Sequence, residues 1–124
     1  MESLDQLQTI IKTTESQHQP LYLSTWQQLH AAIHLWPKIG PQGGVIAWPY
    51  FLTDEFLSLL QEGDWVVRIL TLHYGVAMRL LSNRWYVSDF GRRLVRAMLA
   101  SLDEIPPIWT GTVSWIKDAL EIER

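Results

Sequence analysis

The sequence predicts an all-α fold: a compact bundle of five to six helices around one buried central helix. Three observations predict it. First, the stretch Asp64 to Arg84, DWVVRILTLHYGVAMRLLSNR, carries apolar side chains on nearly every face of a helical wheel, and a helix apolar all round is a buried one. Second, the flanking segments repeat their apolar residues at three- and four-residue steps, the mark of half-buried helices. Third, there is almost no strand signal. The one apolar run that is not helical, Val45 to Phe51, carries Pro49, which suits an extended connector better than a paired strand.

The elements follow in order. Ser3 is placed to cap a first helix reaching about Thr13, with Leu4, Leu7, Ile10 and Ile11 on one side. The polar run from Thr14 to Gln19 ends at Pro20, a breaker. Ser24 and Gln27 have capping-box spacing and open a second helix, with Trp26, Leu29, Ile33 and Trp36 on one face and Pro37 at its end. Residues 38–44, KIGPQGG, form a loop by their Gly and Pro content. Thr53 is the next N-cap, with Asp54 and Glu55 where the helix dipole favours them, and Leu52 and Leu57 at staple spacing. That helix ends near Gly63. Asp64 caps the central helix, a rod of roughly 30 Å for ~20 residues. Trp85-Tyr86-Val87 forms an apolar corner. Ser88 or Asp89 caps a helix bearing Phe90, Leu94, Val95, Met98, Leu99 and Leu102, with Arg92, Arg93 and Arg96 on its wet side. Pro106 and Pro107 break the chain, and residues 112–122 close it with Val113, Ile116 and Leu120 facing inward beside Trp115.

Composition bounds the function. A chain of 124 residues, 48% hydrophobic and 19% charged, reads as one globular domain spanning residues 1–124. A net charge of -3 leaves no electrostatic footprint for direct nucleic-acid binding. With no cysteine, disulfides, thiolate zinc sites and cysteine nucleophiles are excluded together. The N-terminal MESLDQLQTI lacks the basic and apolar regions expected of a signal peptide. Two arginines and a histidine inside the central run argue against a membrane span. A soluble cytoplasmic protein is the expectation.

The order of motifs resembles a known family. An Ala47-Trp48-Pro49 segment precedes a helix containing Glu55 to Leu60, EFLSLL. Then come LTLHYGVAMRLL from Leu70 to Leu81, RWYVSDFGRRLVRAML from Arg84 to Leu99, and a late tryptophan-bearing segment. Over roughly residues 28–118 this resembles the C-terminal regulatory domain of fungal zinc-binuclear-cluster transcription factors of the sterol-uptake-regulator type. The resemblance implies an all-α domain holding an apolar ligand such as a sterol between helices, a role in fungal gene regulation, a nuclear location, and pairing of exposed helix faces in a homodimer. That family reads DNA through a six-cysteine zinc cluster, and this chain has no cysteine. The resemblance therefore supports fold and pocket more than transcription.

Candidate site residues are few. His73 and Tyr74 lie mid-rod and, with Asp89, are the candidate catalytic groups. His73 is either a hydrogen-bonded core histidine or an acid/base aimed into a pocket. Trp48, Tyr50, Trp85 and Tyr86 sit at the corners flanking the rod and are candidate ligand-binding aromatics, joined by Met78 and Arg79 on the rod itself. Arg79, Arg84 and Asp89 are the charges that could orient a carbonyl or carboxylate. Of the other tryptophans, Trp26, Trp36, Trp65 and Trp115 fit core stripes. His30 and His34 are four apart but lack a third ligand, so no metal is expected. Gly40, Gly43 and Gly44 match no nucleotide fingerprint, and Ser24, Ser58, Ser82, Ser88, Ser101 and Ser114 lack a nucleophile-elbow context.

Two functions follow. One is a cofactor-free, pericyclase-like cyclase or isomerase that folds a terpenoid or polyketide into a reactive conformer in fungal secondary metabolism, by proximity and a few polar contacts. The other is a non-enzymatic sterol- or lipid-sensing or dimerising regulator domain that acts through a partner. The absent DNA-reading module leans toward the first.

Overall fold

The computed structural model describes residues 2–34, 52–81, 85–102 and 104–119. Among them the chain forms helices α1 (Glu2–Thr13), α2 (Gln19–His34), α3 (Asp54–Glu62), α4 (Trp65–Leu81), α5 (Trp85–Ser101) and α6 (Pro107–Ala119). No strand occurs among the described residues. The all-α bundle is thus observed, and α4 is its hub. It packs against α2, α3, α5 and α6, and every residue from Ile69 to Met78 is buried.

The caps explain where α3 and α4 begin and end. Thr53 accepts the Phe56 N–H through its hydroxyl at 3.1 Å, and Asp64 accepts the Val67 N–H through Oδ1 at 3.1 Å, each satisfying a donor the helix leaves open. Between them Gly63 takes φ 85°, the left-handed conformation only glycine adopts cheaply, and its N–H turns back onto the Leu59 and Leu60 carbonyls. The Leu52/Leu57 staple is a different matter. Leu57 is 45% exposed, and Phe56 and Leu59 supply the inward face of α3 instead.

Three helix starts differ from the sequence expectation, each for a local reason. The second helix begins at Gln19, not Ser24. Pro20 falls in its first turn, where a missing N–H costs nothing, and the Gln19 amide donates to the Ile11 and Lys12 carbonyls at 3.0 and 2.9 Å, closing the end of α1. The fifth begins at Trp85, so the expected corner at residues 85–87 is its first turn and neither Ser88 nor Asp89 is a cap. The sixth begins at Pro107 rather than residue 112, here with proline in first position. The connector Val45–Phe51, the loop at 38–44, Trp36, Arg84 and Leu120 lie outside the described residues.

α4 and α5 form an antiparallel pair joined at close range. Gly75 faces Gly91 and Val95, and Gly91 faces Met78 and the backbone of Arg79. A Cβ on Gly91 would meet the Gly75 carbonyl oxygen at 2.6 Å, and one on Gly75 would meet the Val95 Cγ2 at 2.5 Å. The two backbones touch only because neither position carries a side chain. On the other flanks, Leu4, Leu7 and Ile11 of α1, Trp26 and Leu29 of α2, and Trp109, Val113 and Ile116 of α6 complete the core. Trp26 donates its indole N–H to the Leu4 carbonyl at 2.8 Å, so the ring ties α2 to α1 while filling the interior.

Candidate functional site

The rod carries one fully buried ionisable group. His73 is 0% exposed. Its Nδ1 lies 2.8 Å from the carbonyl of Ile69, one turn earlier. A carbonyl only accepts, so Nδ1 carries the proton. The neutral ring then presents a bare Nε2, which accepts the Ser3 hydroxyl at 2.8 Å across the α1–α4 contact. Trp115 of α6 stacks on the imidazole with centroids 5.8 Å apart and planes at 20°. Burial holds the His73 pKa down to about 4, against a weaker opposing pull from the Ile69 carbonyl. Beside this pair is a cavity of about 260 Å³ lined by Ser3, Gln6, Gly111, Thr112 and Trp115.

A serine hydroxyl donating to a histidine whose other nitrogen is held by an acceptor has the outline of a nucleophile–base pair. Three features of this one set its chemistry. The orienting group is a neutral carbonyl, not a carboxylate, so an imidazolium formed here gains no counter-charge. The ring has no contact with solvent. A base held near pKa 4 is a poor proton acceptor beside one matched to neutral pH. The arrangement works instead as a polar pin that joins α1, α4 and α6 with both ring nitrogens used. Ser3 reads in the sequence as a cap. Its other signal is spacing: Ser3, Leu7 and Ile11 stand four apart on one face of α1, so a serine heads a buried stripe and needs a partner.

A second polar cluster lies where α4 and α5 converge. Arg79 donates from Nη1 to Ser88 Oγ at 3.0 Å, and that hydroxyl donates to the Arg79 carbonyl at 3.1 Å. With Asp89 and Arg92 they line a cavity of about 280 Å³. Asp89 pairs with Arg93 at 2.9 Å on the exposed side of α5. Arg92 is not on the wet side: it is half-buried, and its Nε is buried without a hydrogen-bond partner among the described residues. The stripe Ser88, Arg92, Val95 and Leu99, at four-, three- and four-residue steps, is the signal that places it on the inner flank.

The expected site residues are therefore dispersed. His73 faces Ser3 and Trp115. Tyr74 is buried at 6% exposure, its pKa pushed up to about 12 by that burial. Met78 is buried at 5% and packs against the Gly91 crossing. Arg79 and Asp89 share the second cavity. Trp85 and Tyr86 belong to the first turn of α5, with side chains outside the described ones, and Trp48 and Tyr50 lie outside the described residues altogether.

The remaining candidates take core or surface places. Trp26 stacks on His30 at 4.8 Å, and His30 meets His34 at 4.4 Å. Among the described residues no three metal-ligating side chains cluster, and no helix is long and apolar enough to cross a membrane. Trp65 is partly buried under the Arg68 guanidinium, 5.2 Å from the ring centre. No family model, curated protein or solved structure matches the chain.

Proposed function

We propose that this chain is a non-enzymatic regulatory domain, of the type found in fungal zinc-binuclear-cluster regulators, that acts through a partner chain rather than by turning over a substrate. The observation that carries this reading is His73. The one histidine inside the rod has both nitrogens engaged, no exposure and a strongly lowered proton affinity. That is the chemistry of a structural pin.

A cyclase would need His73, Tyr74 and Asp89 around one substrate. His73 lies behind Ser3 and Trp115 at one cavity, and Asp89 lines another with Arg79. Both cavities fall just below the ~300–1,000 Å³ of ordinary ligand pockets, and the described residues lining them include Ser3, Gln6 and Thr112 at one and Arg79, Ser88, Asp89 and Arg92 at the other. Neither of these two cavities among the described residues suits the enclosure of a sterol or a polycyclic substrate, which supports partner docking over lipid sensing. The order of motifs from Glu55 through Leu99 supports the family assignment.

The test has two arms. The chain is fused to a heterologous DNA-binding domain, and reporter output is compared with that domain alone at equal protein level. A changed output is expected; identical output contradicts the regulator reading. In parallel, the protein is incubated with polyenes and terpenoid aldehydes. Recovery of each compound unchanged is expected, and an isomeric product overturns the non-enzymatic assignment.

A further inference from the structure

The α4–α5 junction holds more positive charge than its neighbours use. Arg79 and Arg92 face one cavity of about 280 Å³, and among the described residues that line it Asp89 is the carboxylate. That carboxylate is already paired from the solvent side by Arg93 at 2.9 Å. Arg79 is held in place by Ser88, which returns a bond to the Arg79 backbone. This arrangement orients one guanidinium before any ligand arrives. Arg92 keeps a desolvated Nε–H that no group among the described residues accepts. An unsatisfied buried donor on a charged group is costly. Two guanidiniums around a small cavity present donors in the fork geometry that matches planar or tetrahedral oxyanions.

We propose that this cavity binds the oxyanion of a small molecule, a carboxylate or a phosphate monoester, with Arg79 and Arg92 as its donors and Ser88 as the group that positions Arg79. Asp89 sets the selectivity. Its charge repels a second anionic group, so ligands carrying one oxyanion group bind best and those carrying two are penalised. This site stands apart from the regulator reading and needs neither DNA nor a partner chain.

The experiment follows the arginine Nε–H signals of the whole protein by NMR during titration with octanoate in one arm and inorganic phosphate in the other. Saturable shifts of the Arg79 and Arg92 signals are expected in at least one arm. Response to octanoate alone assigns a carboxylate with an apolar tail; response to phosphate assigns the phosphate class. Arg92→Gln is expected to weaken binding by about tenfold or more. Asp89→Asn is expected to tighten it several-fold, a gain that a merely structural role for these residues would not produce, and its surface position keeps the fold intact if Arg92→Gln destabilises it. The proposal is overturned by the absence of saturable shifts in both arms, or by Asp89→Asn leaving the affinity for the bound anion unchanged.

Discussion

Adding one methyl group at Gly91 tests the α4–α5 crossing. The Cβ of Gly91→Ala would stand 2.6 Å from the Gly75 carbonyl oxygen, 2.8 Å from Met78 Cβ and 3.0 Å from the Arg79 nitrogen. Two of these are backbone atoms and cannot rotate away, so the helices must part by roughly half an ångström or more to restore contacts near ~3.5 Å. Overpacking of this kind costs about 1–3 kcal/mol, and backbone contacts put it toward the upper end. Alanine in a helix returns about 1 kcal/mol relative to glycine, leaving a net loss of about 1–2 kcal/mol. Gly111 of α6 is the control. A Cβ there meets nothing within 4 Å, so Gly111→Ala keeps the propensity gain and stabilises by about 0.5–1 kcal/mol. For a chain of this size 1 kcal/mol moves Tm by roughly 3–6 °C, so thermal melts of the two variants should bracket the wild type, roughly 10 °C apart. If Gly91→Ala melts at or above Gly111→Ala, the close crossing is refuted.

The polar pin predicts an acid-sensitive fold. His73 holds a pKa near 4 when folded against 6.5 in the open chain, so its contribution is complete above pH 6.5 and is lost as pH falls toward 4. The slope is at most about 1.4 kcal/mol per pH unit and the total about 3 kcal/mol. Urea midpoints measured across that window should fall in wild type and stay flatter in His73→Leu, which should also be less stable at neutral pH because the Ser3 hydroxyl loses its acceptor. Asp64→Ala removes both the Val67 cap and the acceptor of the Tyr22 hydroxyl, which bonds Oδ2 at 2.6 Å. A loss of about 2–3 kcal/mol by urea denaturation is expected, with Asp64→Asn recovering much of it. Leu70→Ala empties part of the centre of a 0%-exposed site, and denaturant titration should show a loss of about 2–5 kcal/mol.

The parts of this fold legible in the sequence are those decided locally. Thr53, Gly63 and Asp64 mark their helix ends because capping depends on residues within one turn. The all-round apolar character of residues 65–78 marks the hub because burial on every side leaves no polar stripe. The first turns of α2, α5 and α6 were harder to read because proline and aromatic residues tolerate a helix start as well as a break, and tertiary contact decides between them. Ser88 shows why. It has the chemistry of a cap, but its hydroxyl is taken by Arg79 nine residues away. The pairing of Ser3 with His73 spans 70 residues, and no local pattern encodes which buried serine meets which buried histidine. Arg92 shows the reverse: its charge suggests solvent, but its spacing with Ser88 and Val95 places it inward.

The state of the His73 ring is the most direct test. Nitrogen-detected NMR through the ordinary histidine range around pH 6.5 should show Nδ1 protonated, Nε2 bare and no titration until the pH approaches 4 or the chain unfolds. A midpoint near 6.5, or a ring protonated at Nε2, would mean that His73 reaches solvent or a ligand, and the structural pin at the centre of this account would be contradicted.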